Sequence, residues 1–225
     1  MPPQALLALR KDHAAPPLLV SAARRAIARL PGEVLRHSYF TTFWLPASRD
    51  RRAPRDLESP IERLVAFLWQ LADPPGGCAG AEWWIGRAHT NALPIGFHFD
   101  QDVKARRGFR HPLLSSVFFF NRVRGGQLAV TDQIAGPRGV PRPSQATALE
   151  VIEPRRNRYV VFPGNLFHGV LDDEGRVPRR ASRAPRGRVR LTLVVNFWER
   201  RPTGVPPFGA GRGRVRRSRR PDAVR

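Results

Sequence analysis

The stretch GFHFDQD, residues 96–102, places one histidine and two carboxylates within five positions. Successive side chains of a β-strand point to opposite faces, so His98 and Asp100 would project together from one face. They would present one imidazole and one carboxylate to a common point. Asp102 shares this alternation but falls outside the pair, and it is kept in reserve as a ligand in case the strand ends early. The pattern therefore predicts two ligands of a metal site that needs a third.

Five further histidines are candidates for the third ligand, namely His13, His37, His89, His111 and His168. His168 is the best placed, because it follows a predicted strand that ends at Pro163-Gly164 and belongs to the next strand. A hairpin there can return a histidine to the inside of the same barrel. Two histidines and one carboxylate on one face of a metal form the facial triad of non-haem iron(II) oxygenases, which leaves positions open for a cosubstrate and O2. Zinc fits less well, because the spacing matches no familiar zinc motif.

The last predicted strand, VRLTLVVNFW, carries a basic residue that could hold a carboxylate. Arg190 and Thr192 share one face of this strand. A guanidinium fork can grip both oxygens of a carboxylate, and a hydroxyl adds a further donor. Arg188 would face the same way, so alternation alone leaves the choice between the two arginines open. Arg190 is preferred because it lies deeper in the strand.

The elements that must position these residues are two helices followed by many short strands. Residues 21–30 predict a short helix and 59–77 a clearer one, which begins with a capping box formed by Ser59 and Glu62. Residues 37–45 predict a strand. Eight β-rich runs then alternate with Gly/Pro turns: AEWWIG, PIGFHFD, SSVFFFN, QLAVTD, ALEVIE, RYVVFP, LFHGV and VRLTLVVNFW. This pattern predicts a mainly β fold, a sandwich or barrel with flanking helices outside it.

The composition limits the class of protein. The chain has 225 residues and a net charge of +21, and only two of its 39 basic residues are lysines. Nucleic-acid binders usually use lysine as well, so the bias of a GC-rich genome explains the charge better than a nucleic-acid partner does. No apolar run is long enough to span a bilayer, so no membrane association is expected. The single cysteine, Cys78, allows no internal disulfide, and no signal peptide is recognisable, so a cytoplasmic location is expected.

Four motifs, in their order along the chain, resemble the 2-oxoglutarate- and iron(II)-dependent dioxygenases, particularly the prolyl-4-hydroxylase-like branch. They are HFD, FFFNRVRGGQLAV, FPGNLFHGV and RLTLVVNFW. The resemblance covers roughly residues 82–198 of the chain. The H-x-D pair alone is weak, whereas four motifs in the family order are much stronger. The family fold is a double-stranded β-helix, or jelly roll, in agreement with the strand pattern.

The resemblance implies a ligand set and a reaction. Fe(2+) would be held by His98, Asp100 and His168, and 2-oxoglutarate by Arg190 with Thr192. O2 would be the second cosubstrate, with ascorbate as an accessory, and an unidentified protein side chain or small molecule would be hydroxylated with release of succinate and CO2. One departure concerns the arginine, which follows the distal histidine by 22 positions, more than the family pattern has. An arginine- and proline-rich loop fills the difference.

These patterns predict three regions: 1–80 with helical and strand elements that pack on the core, 81–200 as the jelly-roll oxygenase core, and 201–225 as a basic, disordered tail. Trp83 and Trp84 are expected at the substrate entrance. Two alternatives to the oxygenase stay open. One is a non-catalytic jelly-roll module that binds nucleic acid or an acidic partner through its arginines, including those of the tail. The other is a cupin-like metal enzyme that does not use 2-oxoglutarate.

Overall fold

The computed structural model describes residues 5–50, 52–94, 96–105, 110–178, 185 and 188–209. Within them the chain forms three α-helices, α1 (Pro17–Ala28), α2 (Gly32–Arg36) and α3 (Pro60–Ala72), and two short 3-10 helices, Ser38–Phe40 and Pro137–Gly139. The strands are β1 (Leu9–Lys11), β2 (Phe43–Pro46), β3 (Gly80–His89), β4 (Leu114–Phe119), β5 (Leu128–Ala135), β6 (Pro141–Arg142), β7 (Leu149–Ile152), β8 (Arg158–Pro163), β9 (Leu166–Val170) and β10 (Val189–Trp198).

The strands form two antiparallel sheets. The larger has the order β1-β8-β4-β10-β3-β2, and the smaller has β6-β5-β7 with β9 paired to the other side of β5. A backbone bridge between His98 and His168 holds the segment that contains His98 next to β9, at the edge of the smaller sheet. From β3 onward the chain passes repeatedly between the two sheets, which is the arrangement of a jelly roll. The fold predicted from the strand pattern is therefore confirmed.

The core is divided by the larger sheet. Its outer face packs against α1 and α3, where the predicted apolar stripe of α3, including Ile61, Leu64 and Leu68, is fully buried. Its inner face packs against the smaller sheet through a second cluster that includes Val117, Phe119, Leu128, Val130 and Phe162.

Among the described residues, no helix combines the length and the apolar character that a membrane span requires.

Several elements differ from their predicted bounds. The first helix begins at Pro17 rather than residue 21, since proline is well suited to the first helical position. The predicted strand 37–45 divides into a 3-10 helix and the short strand β2. In the run 94–100, of which the structure describes 94 and 96–100, only His98 makes a bridge, so these residues do not form a full strand. The three-residue strand β1 is too short to leave a periodic signal.

The start of the predicted tail is ordered against the sheet. The N–H of Trp44 donates to the carbonyl of Pro206 at 2.7 Å, and the Phe208 ring lies 5.0 Å from that of Phe43 and 5.1 Å from that of Trp83. Residues 201–209 therefore correct the prediction of a tail disordered from residue 201. Residues 210–225 lie outside the described residues, as do 179–184 and 186–187 of the charged loop.

The N-terminal region is joined to the core by strands and by an ion pair. Strands β1 and β2 pair with β8 and β3. Arg158, whose side chain is 1% exposed, donates from Nε to Asp12 Oδ1 at 2.5 Å and from Nη2 to Oδ2 at 2.7 Å. The region boundaries at residues 80 and 200 stay a prediction.

Replacing Asp12 with asparagine should lower the free energy of unfolding by about 1–2 kcal/mol at pH 7, a value reduced from that of a fully buried pair because Asp12 is partly exposed. Its hydrogen bond from Arg158 holds the pKa of Asp12 below its usual range. The ionised carboxylate therefore stabilises the fold above its unfolded pKa of about 3.9, and this contribution is lost as the pH falls through the folded value. Denaturant unfolding of the wild type and Asp12→Asn between pH 7 and pH 2 measures both effects.

The control for this experiment is Asp50→Asn. Asp50 pairs with an exposed arginine, Arg52, at 3.6 Å, and it should contribute little. An equal loss in the two variants, or a loss in Asp12→Asn that persists at pH 2, would contradict the assigned role of the Asp12–Arg158 pair.

Candidate metal centre

The three predicted ligands lie together. His98 and Asp100 come from one segment, His168 comes from β9, and a backbone bridge joins the two. One ligand atom each from His98, Asp100 and His168 lies within 4.8 Å of the others. Asp100 stands between the imidazoles: its Oδ1 is 3.4 Å from His98 Nε2, and its Oδ2 is 3.4 Å from His168 Nε2. The bridge, with N–H to carbonyl distances of 2.8 and 3.0 Å, places both histidines beside each other. Within the described residues this is the one group of three possible metal ligands.

Hydrogen bonds orient each of the three side chains. His98 Nδ1 lies 2.9 Å from the carbonyl of Gly96, and His168 Nδ1 lies 2.9 Å from that of Leu166. Such a bond at Nδ1 leaves Nε2 as the ligand atom and fixes the ring, which is the usual support of a metal-bound histidine. Ser115 Oγ donates to Asp100 Oδ2 at 2.7 Å. Two Nε2 atoms and one carboxylate, all held by partners outside the group, fit a divalent metal.

The pKa shifts of His168 and Asp100 also suit a metal. Burial lowers the pKa of His168 and so favours the neutral imidazole, the form that binds metal. Burial acts to raise the pKa of Asp100, but the neighbouring His168 and His98 and the Ser115 hydroxyl outweigh it and hold that pKa well below its usual range. Burial acts to lower the pKa of His98, but the hydrogen bond to Asp100 outweighs burial and raises that pKa. The carboxylate is therefore ionised and stabilised by the two rings.

Asp102, the reserve ligand, has a different role. Its Oδ2 accepts from Arg110 Nη2 at 2.6 Å and from the Thr203 hydroxyl at 3.0 Å, and its Oδ1 accepts from the N–H of Lys104 at 3.2 Å. Its carboxylate thus joins the segment after Asp100 to the chain beyond β10. Asp102 does not belong to the ligand group.

A buried arginine forms the base of the same cavity. Arg190 is 2% exposed and lines the cavity that also contains the three ligand residues. Its Nε donates to the carbonyl of Gly126 at 2.9 Å, and its guanidinium carbon lies 5.1 Å from the centre of the Phe119 ring. Arg188 is exposed. The structure therefore separates the two arginines that alternation leaves equivalent, and Arg190 is the one in the cavity.

The turn Gly125-Gly126 makes room for this arginine. Both glycines have positive φ, at 74° and 70°. A Cβ on Gly126 would come within 2.8 Å of Arg190 Cδ and 3.1 Å of Thr90 Cγ2. Only glycine combines that backbone conformation with so close an approach.

The cavity-facing side of the larger sheet has three layers of side chains, because β3, β10 and β4 are in register. Each layer lies two residues from the next, roughly 6.8 Å along a strand. The layers are the base with Gly86 and Thr192, the apolar middle with Trp84, Val194 and Val117, and the metal side with Glu82, Asn196 and Ser115. Of these residues, Trp84, Val194, Val117 and Ser115 line the cavity. Arg190 lies at the base beside the first layer. The polar base and the metal are thus separated by an apolar layer.

Sequence reasoning missed Tyr39, which lines the base of the cavity. Its hydroxyl lies 3.3 Å from Arg190 Nη1, although the two residues are 151 positions apart. Tyr39 comes from a region without a recognisable chemical motif, so no local signal could have identified it.

The two neighbouring tryptophans face opposite sides of the larger sheet. Trp84 lines the cavity, whereas Trp83 is fully buried on the helix-covered face. The prediction for Trp83 is wrong, because adjacent residues of a strand face opposite ways.

No family model matches this chain, and no curated protein matches it. Solved structures do. A prolyl-4-hydroxylase from Pseudomonas putida is 20% identical, with 85% of this chain and 88% of that chain covered and a TM-score of 0.42. A prolyl hydroxylase from Trichoplax adhaerens, in complex with a hypoxia inducible factor peptide fragment, is 11% identical over 85% of this chain and 83% of that one, with a TM-score of 0.47.

HygX from Streptomyces hygroscopicus, with nickel and 2-oxoglutarate bound, is 12% identical, with 84% of this chain and 81% of that chain covered and a TM-score of 0.46. Two of these three proteins are prolyl hydroxylases, and the third has 2-oxoglutarate bound, in line with the resemblance that the sequence motifs indicate. Identities and TM-scores this low leave the function of the present chain to the geometry of its site.

Proposed function

We propose that this protein is an iron(II)- and 2-oxoglutarate-dependent dioxygenase that hydroxylates a protein side chain or a small molecule with release of succinate and CO2. The observation that carries the proposal is a two-histidine, one-carboxylate group and a buried arginine in one cavity, with an apolar layer between them. Fe(2+) held by His98, Asp100 and His168 would supply the activation of O2. The protein's own residues would bind and orient the cosubstrate and keep water from the reacting centre.

The hydrogen bonds of Arg190 indicate how it would bind the far carboxylate of 2-oxoglutarate. Nε is bonded to Gly126, and Nη1 is bonded to Thr192 Oγ1 at 3.2 Å and to the Tyr39 hydroxyl at 3.3 Å. Nη2 has no acceptor within the described part of the chain. Its N–H groups would therefore donate to the carboxylate in a charge-assisted bond.

The two hydroxyls beside Arg190 would have different tasks. The Thr192 hydroxyl accepts from Arg190 and donates to the carbonyl of Gly86 at 3.3 Å, so its proton is used within the sheet. The Tyr39 hydroxyl also accepts from Arg190, and its own proton has no acceptor among the described residues. Thr192, expected from the sequence to assist cosubstrate binding, would do so by holding Arg190. Tyr39 would contact the carboxylate directly.

The remaining lining would enclose the rest of the cosubstrate. Trp84, Val194, Val117, Leu128 and Phe162 surround the space between Arg190 and the ligand group. Apolar walls suit the methylene carbons of 2-oxoglutarate and keep the metal side dry, where charged interactions are stronger than in water.

The proposal is tested by measuring succinate formed from 2-oxoglutarate in the presence of Fe(2+), O2 and ascorbate. Wild-type protein should form succinate well above the rate of the reagents alone, and His98→Ala should not, because one of three ligands is missing. His37→Ala, which removes an exposed histidine that does not belong to the ligand group, is the matched control and should behave as wild type. Succinate formation at the reagent rate in all three proteins would overturn the proposal.

Tyr39→Phe should raise the KM for 2-oxoglutarate about 5- to 10-fold, the effect of losing one hydrogen bond of about 1–1.4 kcal/mol. The affinity for metal should be unchanged, since the hydroxyl lies at the opposite end of the cavity. Steady-state kinetics with varied 2-oxoglutarate measures the effect. Phe40→Ala, at the exposed neighbouring position of the same 3-10 helix, is the control. An unchanged KM in Tyr39→Phe would show that this hydroxyl does not contact the cosubstrate.

A further inference from the structure

Two hydrogen-bond acceptors are opposed on the cavity-facing side of the larger sheet, in the layer level with the metal ligands. Glu82 of β3 and Asn196 of β10 are directly opposed in the antiparallel ladder, which places their Cβ atoms roughly 4.5–5.5 Å apart. Each lies two residues from a side chain that lines the cavity, Trp84 on β3 and Val194 on β10. Strand alternation therefore turns both acceptors to the cavity face of the sheet.

Asn196 has an unmet acceptor. The residue is 1% exposed, and its Oδ1 has no hydrogen-bond partner among the residues that the structure describes. Buried polar atoms are almost always hydrogen-bonded, so such an exception calls for an explanation. A donor supplied by a bound molecule would satisfy it.

Among the residues that the structure describes, no basic side chain is paired with Glu82. The groups that act on its carboxyl are Thr42, Trp198 and the two aspartates Asp100 and Asp102, and burial together with these like charges raises the pKa of Glu82 to about 7. The two aspartates have other partners: the imidazoles of His98 and His168 lie beside Asp100, and Asp102 bonds to Arg110. Within the described part of the chain, Glu82 is therefore a carboxyl of this layer that lacks a cation.

The position of this layer assigns it to the substrate. This inference rests on the proposed function, in which 2-oxoglutarate occupies the base and the apolar middle of the cavity. Ser115, opposite Asn196 in the neighbouring strand, bonds to Asp100, so the layer is level with the ligand group. A molecule that is oxidised at the metal must approach from this side.

We propose that Glu82 and Asn196 bind a cationic nitrogen group of the substrate, an amine or a guanidinium. The ionised carboxylate of Glu82 and the amide oxygen of Asn196 are both acceptors, and an N–H-rich cation satisfies both while it neutralises the buried charge. The overall charge of +21 makes such a site unusual in this chain, because most of its surface would repel a cation. The acidic layer would thus select a substrate that the remainder of the protein does not attract.

The test compares two probes of equal shape, N-acetyl-L-arginine amide and N-acetyl-L-citrulline amide, which differ in the charge of the terminal group. Binding to protein loaded with Ni(2+) and 2-oxoglutarate is measured by calorimetry, so no turnover is needed. The wild type should bind the arginine probe at least about 10-fold more tightly, as expected for a charged pair worth 1.4 kcal/mol or more. Glu82→Gln, which keeps the shape and removes the charge, should lose this preference.

Glu150→Gln is the matched control, because Glu150 is an exposed glutamate of β7, and it should keep the preference of the wild type. Thermal unfolding confirms that each variant is folded, and Asn196→Ser provides a second variant, which should bind the arginine probe more weakly. Equal binding of the two probes by the wild type, or binding of neither, overturns this inference. Succinate formation by the wild type without any probe preference would leave the oxygenase proposal standing and reject only the cation site.

Discussion

Asp100→Ala is expected to lower the affinity of the protein for Fe(2+) by at least about 100-fold, more than the loss typical for a residue that only supports a ligand. Asp100 is the carboxylate that both imidazoles approach at 3.4 Å. Its removal would leave two neutral rings and no anion, so both a ligand and the charge that balances the cation are lost. Anaerobic calorimetry with Fe(2+) measures the change, and succinate formation should fall to the rate of the reagents alone.

Two further variants make this result interpretable. Asp100→Asn keeps the shape of the side chain and should also lose most of its metal affinity, which separates the effect of charge from that of a cavity. Asp56→Ala removes an exposed aspartate and should bind metal as the wild type does. Wild-type affinity in both Asp100 variants would show that the metal, if bound, is held elsewhere.

Arg190→Met is expected to raise the KM for 2-oxoglutarate about 100-fold, since removing one partner of a buried charged pair costs roughly 3 kcal/mol. Methionine retains much of the volume of the arginine stem beside Phe119 while removing the guanidinium. The metal affinity should change little, because Arg190 and the ligand group lie at opposite ends of the cavity. Kinetics with varied 2-oxoglutarate and calorimetry with metal test the two statements separately.

Arg188→Met is the matched control for this prediction. Arg188 lies two residues earlier in the chain, carries the same charge and is exposed. Its replacement should leave the KM for 2-oxoglutarate close to that of the wild type. Equal effects of the two substitutions would mean that Arg190 acts only through the net charge of the protein.

The ligand group could be predicted because its signals are local. Alternation along a strand pairs His98 with Asp100, and the Phe-Pro-Gly turn before His168 marks the hairpin that returns the third ligand. Strands β8, β9 and β10 have the bounds that their β-branched and aromatic runs indicate. The segment of His98 itself is an exception, since it makes a single bridge rather than a strand, and that bridge is sufficient to hold the two histidines together.

The rest of the site depends on register and on distant contacts. The pairing of Glu82 with Asn196 requires the alignment of two strands at opposite ends of the core sequence, and a shift of one residue would reverse every side chain. Tyr39 reaches Arg190 only through the packing of the N-terminal region on the sheet. Trp83 and Trp84 look alike in the sequence but lie on opposite faces of β3. None of these facts is encoded in a short stretch of residues.

The measurement that most directly tests the proposed site is an anaerobic titration of 2-oxoglutarate into Fe(2+)-loaded protein, followed by the visible charge-transfer absorption that appears when a 2-oxo acid chelates iron. The wild type should develop this absorption and saturate at one equivalent. Arg190→Met should need far more 2-oxoglutarate, and Asp100→Ala should not develop it. Absence of the absorption in the wild type, or its persistence in Asp100→Ala, would contradict a site in which His98, Asp100 and His168 hold the iron and Arg190 holds the cosubstrate.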